Sequence, residues 1–90
     1  MREKEIEEFL VKSVKARGGL CPKFTSPSSA GYPDRLVLLP GAKVLFVEVK
    51  APGKKPRKLQ DRRIKALCAL GFKALSIDSK EKVLEVLDEV

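Results

Sequence analysis

Residues 31–53 constrain the fold of this chain more than any other stretch, because they contain two strand-like runs around a turn signal. The segment reads GYPDRLVLLPGAKVLFVEVKAPG. The runs at 35–39 and 43–50 are rich in aliphatic and β-branched residues, and the Pro-Gly-Ala between them is typical of a turn. The segment therefore predicts a β-hairpin. It also carries ionisable side chains among residues that would normally be buried.

These ionisable residues are Asp34, Glu48 and Lys50. Successive side chains of a strand point to opposite faces, so Glu48 and Lys50 share one face, about 6.6 Å apart along the strand. A turn centred on Pro40–Gly41 pairs residues whose numbers sum to 81 or 82, which sets Asp34 opposite Val47 or Glu48. We expect the three charged groups to converge at one end of the hairpin.

Two neighbouring carboxylates repel each other unless one keeps a proton or a cation lies between them. Oxygen ligands suit Mg²⁺ or Mn²⁺ better than zinc. A divalent ion beside a lysine is an arrangement that can cleave phosphodiesters, because the metal lowers the pKa of a bound water and neutralises charge on the phosphate. A structural ion pair at a sheet edge is the alternative interpretation of the same three residues.

The remaining pattern predicts one α/β domain, a sandwich around a small mixed sheet. Glycines, prolines and caps divide the chain into segments. The strand after the second helix follows a helical crossover, so we expect it to be parallel to an earlier strand. The order is α-β-β-β-α-β-α within a single domain, 1–90. The predicted elements are helix 3–17, strand 20–24, loop 25–33, the hairpin, loop 52–58, a helix from about 58 to 70, strand 72–77, and a helix from Asp78 or Ser79 to about 89.

Helical spacing places one acidic residue on the apolar side of the first helix. Ile6, Leu10 and Val14 recur at four-residue intervals, and Glu7 falls within their arc. Glu7 is therefore predicted to point toward the core or toward a site beside it. Snorkelling to solvent, or pairing with a lysine, is the alternative.

The second long helix gives a similar prediction for a glutamine. Gln60 shares a face with Ile64, Leu67 and Cys68, so it should point toward the sheet. A polar residue near the helix N-terminus is also common in capping, which is the alternative for Gln60. Cys68 is predicted to be a small core residue.

Several classes of protein are excluded by composition. The chain has two cysteines and no histidine, too few for a structural zinc site and none for a histidine base. The charged N-terminus has no signal-peptide pattern, and no apolar run approaches the roughly 20 residues of a membrane span. We therefore expect an intracellular, cytoplasmic protein with no membrane association and no small-molecule cofactor.

Positive charge is concentrated in the middle of the chain. Residues 18–75 carry twelve basic and three acidic side chains, whereas residues 76–90 carry two basic and five acidic ones. Such a distribution favours a polyanion as partner, although a solvated lysine-rich surface is the simpler alternative. Tyr32, the single tyrosine, could stack on a base, but a loop position alone predicts no contact. The candidate nucleic-acid-binding residues are Lys23, Lys54, Lys55, Arg57, Lys58 and Arg62.

The order of these residues resembles a known nuclease family. Pro33-Asp34 followed by Glu48-Val49-Lys50 is similar to the PD-(D/E)XK motif. The longer segments GYPDRLVLLPG, FVEVKAPGKKPRKLQ and LCALGFKALSIDSKEKVLEVL resemble the VRR-NUC domain along nearly the whole chain. The resemblance implies a restriction-endonuclease-like αβββαβ core, a small mixed sheet flanked by helices.

The resemblance also implies roles for individual residues. Asp34, Glu48 and the backbone carbonyl of Val49 would bind Mg²⁺, for which Mn²⁺ may substitute, and Lys50 would be the catalytic lysine. Glu7 would assist from the edge of the metal site, and Gln60 matches the family glutamine. Lys23 occupies the position of a family lysine that could touch a phosphate; an exposed lysine guarding a sheet edge is the alternative.

As a function, the resemblance implies a Mg²⁺-dependent, structure-selective DNA endonuclease. Stand-alone members resemble Holliday junction resolvases and are typical of phage and bacterial genomes, and two cuts in a symmetric junction fit a homodimer. Two alternatives remain open at this stage. One is a non-catalytic nucleic-acid binding module with structural carboxylates. The other is the same nuclease acting on flaps, linear duplex or RNA.

Overall fold

The computed structural model describes residues 1–90 as three helices and one three-stranded sheet. Apart from the predicted strand 20–24, the predicted bounds agree with the observed ones to within one or two residues. Ser79, one of the two predicted caps, closes the start of the last helix, because its Oγ accepts the Lys82 N–H at 3.0 Å. None of the helices is long and apolar enough to cross a membrane. The elements in chain order are α1 Glu3–Ala16, β1 Arg35–Leu39, β2 Lys43–Val49, α2 Lys58–Ala69, β3 Lys73–Ile77 and α3 Lys80–Glu89.

The central strand β2 is antiparallel to β1 and parallel to β3, as predicted for the strand after the crossover helix. Residues paired across the hairpin have numbers that sum to 82, from Arg35 with Val47 to Leu39 with Lys43. The connecting residues are Pro40–Ala42, and both Gly41 and Ala42 have positive φ, 85° and 60°. The observed register is therefore the predicted one in which the paired numbers sum to 82. Continuing this register by one residue beyond β1 places Asp34 opposite Glu48.

The predicted strand 20–24 forms only in part. It runs along β1 through two isolated antiparallel bridges, Leu20 with Leu38 and Lys23 with Arg35. Between them the Leu36 N–H donates to the Pro22 carbonyl at 3.0 Å. Proline has no N–H to return the next bond of the ladder, so the strand is interrupted at this position. The sheet consequently has three regular strands and an irregular edge segment.

One face of the sheet is fully covered by α1 and α3. The alternate residues Leu45, Val47 and Val49 of β2 are each 1% exposed, and they pack against the apolar faces of the two helices. The apolar face predicted for α1, Ile6, Leu10 and Val14, is buried, as are Val83, Val86 and Leu87 of α3. This layer is the hydrophobic core of the molecule.

The opposite face is covered only by α2, which packs mainly against β3. Gln60 is the one buried residue of α2. The prediction that Cys68 is a core residue is wrong: the residue is exposed, although its thiol donates to the Ala74 carbonyl at 3.3 Å. Helical spacing indicated the correct side of the helix, but a single helix lying over β3 leaves that row of side chains partly in water.

Candidate active site

Asp34 lies at the end of a loop, immediately before β1, with the preceding Pro33 fully buried. Its Oδ1 atom is buried and has no hydrogen-bond partner. Burial raises the pKa of Asp34; the Val49 backbone amide acts in the opposite direction, and the charge of Glu7 raises the pKa further. An unpaired buried carboxylate oxygen is costly unless a proton or a cation satisfies it.

The loop that carries Asp34 is fastened to α2. Gly31 has a φ of 88°, and a Cβ at this position would lie 2.6 Å from the Leu59 Cγ, so only glycine permits this close approach. The Arg63 Nε donates to the Ala30 carbonyl at 3.0 Å, and its guanidinium lies 4.9 Å from the centre of the Tyr32 ring. The loop and α2 therefore position Asp34 together.

Sequence analysis did not single out Arg63. Its contacts with residues 30 and 32 depend on a loop-to-helix approach that neither segment encodes locally. Tyr32 is engaged by the same contacts and also meets the Phe24 ring edge-on at 6.2 Å. This ring holds the loop in place.

Glu48 is buried on the face of β2 that α2 covers, where it is 6% exposed. Its Oε2 accepts the Gln60 Nε2 at 3.2 Å and lies 3.4 Å from the Lys50 Nζ. Burial raises the pKa of Glu48, the nearby Asp34 charge raises it further, and Lys50 acts in the opposite direction. Asp34, Glu48 and Lys50 therefore lie together at one end of the hairpin, as the sequence predicts.

Gln60 combines the two interpretations given to it. Its Nε2 donates to Glu48, as expected for a residue that points at the sheet, and its Oε1 accepts the Arg57 backbone N–H at 2.9 Å. The second bond caps α2. Because one side chain does both, the first turn of α2 is locked to the carboxylate of β2.

Glu7 lies on the predicted side of α1, half-buried, and pairs with an arginine rather than a lysine. The Arg35 Nε donates to its Oε2 at 2.9 Å, and the Arg35 Nη1 donates to the Cys21 carbonyl at 2.7 Å. Sequence reasoning did not single out Arg35. The signal was strand alternation, which sets Arg35 with Val37 on the face that α1 covers.

Two of the three carboxylates predicted to bind a divalent metal ion are suitably placed to do so. No three Asp, Glu, His or Cys side chains form a cluster that could hold an ion. Glu7 is engaged by Arg35, which leaves Asp34 and Glu48 as the carboxylates of the site. Their hard oxygen donors, the unpaired Asp34 Oδ1 and the repulsion between the two charges suit Mg²⁺ or Mn²⁺. The third predicted ligand is the backbone carbonyl of Val49, the residue next to Glu48 in β2.

The basic residues after β2 lie close to these carboxylates. The connecting segment begins at Lys50 and ends where Gln60 reaches Glu48, so the exposed residues between them border the site. The Gly53 N–H donates to the Asp78 Oδ2 at 3.2 Å and ties this segment to the end of β3. Lys23 lies on the other side, at the edge of β1. The exposed basic residues of the connecting segment are Lys54, Lys55, Arg57 and Lys58, and the exposed Arg62 follows it within α2.

Comparison with known proteins identifies a sequence relative that is named as a nuclease. The chain is 48% identical over 81 residues to "Putative nuclease p44" of Acyrthosiphon pisum secondary endosymbiont phage 1, covering 90% of this chain and 87% of that protein. No family model matches the chain.

Two solved structures share the fold. One, described as "VRR_NUC domain", has a TM-score of 0.90 at 26% identity and covers 98% of this chain and 97% of its own. The other, described as "VRR_NUC domain protein", has a TM-score of 0.74 at 22% identity and covers 98% and 86%. With the sequence relationship and the superposition over nearly its full length, this chain belongs to the VRR-NUC domain family.

Proposed function

We propose that this protein is a divalent-metal-dependent, structure-selective DNA endonuclease that hydrolyses phosphodiester bonds. The observation that carries the proposal is the unpaired, buried Oδ1 of Asp34 beside the buried Glu48 and Lys50. The relative named as a nuclease supports the same reaction class.

Each group at the site has a chemical role in this proposal. Mg²⁺ bound by Asp34 and Glu48 would activate a water molecule and neutralise charge on the scissile phosphate. Lys50 holds a mostly buried ammonium group, whose remaining N–H donors can orient a water molecule or stabilise charge that develops on phosphate oxygens. Gln60 fixes the orientation of Glu48 through its Nε2.

The proposed substrate is branched DNA such as a Holliday junction, recognised by shape. The basic residues bordering the site are suited to phosphate contacts, which position a duplex without reading its sequence. Tyr32 is held between Arg63 and Phe24, so base stacking there would require the loop to rearrange. With no free aromatic platform at the site, backbone geometry is the feature that selects the substrate.

We further propose that two copies act together as a homodimer. The sheet face that carries Glu48 continues, toward the hairpin turn, into an apolar surface formed by Val44, Leu70 and Phe72, which are 37%, 76% and 47% exposed. A domain of 90 residues buries a modest core, so covering this surface would stabilise it. A two-fold axis there would relate two equivalent sites in one dimer, as two cuts in one junction require.

The cleavage test uses purified protein, a fixed four-way junction and Mg²⁺. We expect cleavage by the wild type, none in EDTA, and a loss of about 10²–10⁴-fold in Asp34→Ala and Lys50→Ala, the range that acid–base groups supply. The matched controls are Lys82→Ala and Glu85→Ala, an exposed pair on α3 whose charged atoms are 3.6 Å apart, and these should retain full activity.

Cleavage that survives Asp34→Ala or Lys50→Ala would overturn the mechanism. A parallel panel of flap, linear duplex and RNA substrates decides the substrate class, because a junction-selective enzyme must cut the junction fastest. Light scattering measures the mass in solution, and Phe72→Glu should convert a dimer into a monomer.

A further inference from the structure

A second basic surface lies along α1, away from the residues that follow β2. It is a groove of about 510 Å³ with one apolar lining residue, Val11. We refer to it as the α1 groove. Its charged lining residues are Lys4, Glu7, Glu8, Lys12, Lys15, Lys23 and Arg35.

The charge of the α1 groove is positive and uncompensated. Glu7 and Arg35 neutralise each other at 2.9 Å. The four lysines are exposed and take part in none of the ion pairs of the molecule. Glu8 is then the single carboxylate against four ammonium groups, so the groove attracts an anion.

The groove begins next to the candidate active site. Its Glu7–Arg35 end adjoins Asp34, since Arg35 is the next residue and the Glu7 charge raises the pKa of Asp34. Helix α1 covers one face of the sheet, whereas α2 and the basic residues preceding it lie on the other. The two basic surfaces therefore flank the carboxylates from opposite sides.

We propose that the α1 groove binds the sugar–phosphate backbone of the DNA substrate, on the side of the active site opposite to α2. The proposal rests on the nuclease function proposed above and adds a second DNA-binding surface to it. The substrate is then held on both sides of the scissile bond, and a single basic surface is insufficient for full affinity.

The dimensions and chemistry of the groove fit a phosphate backbone. From Lys4 to Lys15 the helix rises about 16 Å, the axial length of about five phosphates of one B-DNA strand. Lysine ammonium groups bind phosphates as point charges without a fixed geometry. The groove has no aromatic residue, so it contacts backbone and not bases. The alternative occupant of a basic groove is an acidic protein. A protein partner would need an apolar region to pack against, and Val11 alone is too small for this.

The test measures DNA affinity against salt for Lys12→Gln/Lys15→Gln, in EDTA so that no cleavage occurs. Each lost phosphate contact reduces the slope of log K against log salt by about 0.7–0.9. We expect the slope for a four-way junction to fall by about 1.4–1.8 in this variant. The matched control Lys73→Gln/Lys82→Gln removes the same charge from β3 and α3 and should leave the slope within 0.3 of the wild type, a margin of about a third of one contact.

A slope equal to that of the wild type, or no DNA binding by the wild type, would overturn the proposal and leave an acidic protein as the occupant to test. Lys4→Gln/Lys15→Gln serves as a second variant if the first melts at a lower temperature. Cleavage is scored separately. If the wild type cuts nothing but the slope still falls, the nuclease proposal fails and the groove stands; if it cuts and the slope is unchanged, the groove proposal alone fails.

Discussion

The two faces of the same sheet are built for different tasks, and strand β2 contributes to both. On one face Leu45, Val47 and Val49 are each 1% exposed beneath α1 and α3. On the other face Val44 is exposed, Phe46 is half-buried, and Glu48 is buried only because α2 brings Gln60 over it. The side chains on one face of β2 thus stabilise the domain, and those on the other face contribute to the candidate active site.

The two faces differ in how their side chains affect the stability of the fold. The face under two helices has no charged residue in its core cluster. The face under one helix carries two carboxylates whose pKa values are raised by burial, which is unfavourable to folding at neutral pH. A row of edge-to-face rings, Phe24, Phe46 and Phe72, provides much of the apolar contact beside them. The covered face stabilises a site that by itself would not be stable.

The largest expected effect comes from the same substitution on each face of β2. Val47→Ala removes two methyl groups from a fully buried position and should lower the free energy of unfolding by about 2–3 kcal/mol, from roughly 0.8 kcal/mol per carbon plus a cavity term. Val44→Ala, three residues away and exposed, should lower it by less than about 0.5–1 kcal/mol. Urea unfolding of both variants measures the difference, and equal losses would mean that the two faces contribute alike.

A smaller effect is expected where the loop that carries Asp34 meets α2. Gly31→Ala sets a Cβ 2.6 Å from Leu59 at a φ of 88°, so we expect a loss of about 1–3 kcal/mol in stability together with reduced cleavage. Gly53→Ala is the matched control, because Gly53 also has a positive φ, 78°, but no atom within 4 Å. Its cost should be the backbone strain alone, about 1–2 kcal/mol or less. Unfolding curves and junction cleavage check both, and identical profiles would remove the role given to Leu59.

The smallest effect, and the one of opposite sign, is expected at Asp34. Because its pKa is raised in the folded protein, the folded state binds more protons than the unfolded state between the ordinary and the raised pKa. Its contribution to stability is therefore fully present below about pH 4, and it is lost as pH rises through the folded pKa. Asp34→Asn should stabilise the metal-free protein at pH 7 by about 0.5–2 kcal/mol.

The check is thermal unfolding in EDTA from pH 4 to pH 8, taking the difference between wild type and variant. The difference should grow with pH, and Mg²⁺ should raise the melting temperature of the wild type only. A variant less stable than the wild type at pH 7 would contradict the assignment of Asp34 as an unsatisfied buried carboxylate.

Much of the candidate site was predictable because strand alternation and turn length are local properties. The alternation of β2 placed Glu48 and Lys50 on one face, and a turn centred on Pro40–Gly41 predicted paired residues whose numbers sum to 81 or 82. The positive φ values of Gly41 and Ala42 correspond to the three-residue connection that selects the sum of 82. The interruption of strand 20–24 was also readable in principle, since Pro22 cannot donate a ladder hydrogen bond.

The contacts that complete the site were not predictable in the same way. Arg35 meets Glu7 across 28 positions of sequence, and Arg63 meets Ala30 across 33. Helical spacing gave the direction of Cys68 correctly and its burial wrongly, because burial depends on how many elements cover a face.

The sequence by itself determined the order of the elements, the hairpin that carries Asp34, Glu48 and Lys50, and the resemblance to the VRR-NUC family. The element order and the hairpin follow from the preferences of neighbouring residues and the fixed periods of helix and strand, and the resemblance follows from the motifs themselves. Only the tertiary structure decided that one face of the sheet receives two helices and the other receives one. That choice depends on packing between segments far apart in the chain, and it sets which carboxylates are paired and which Asp34 oxygen is left without a partner.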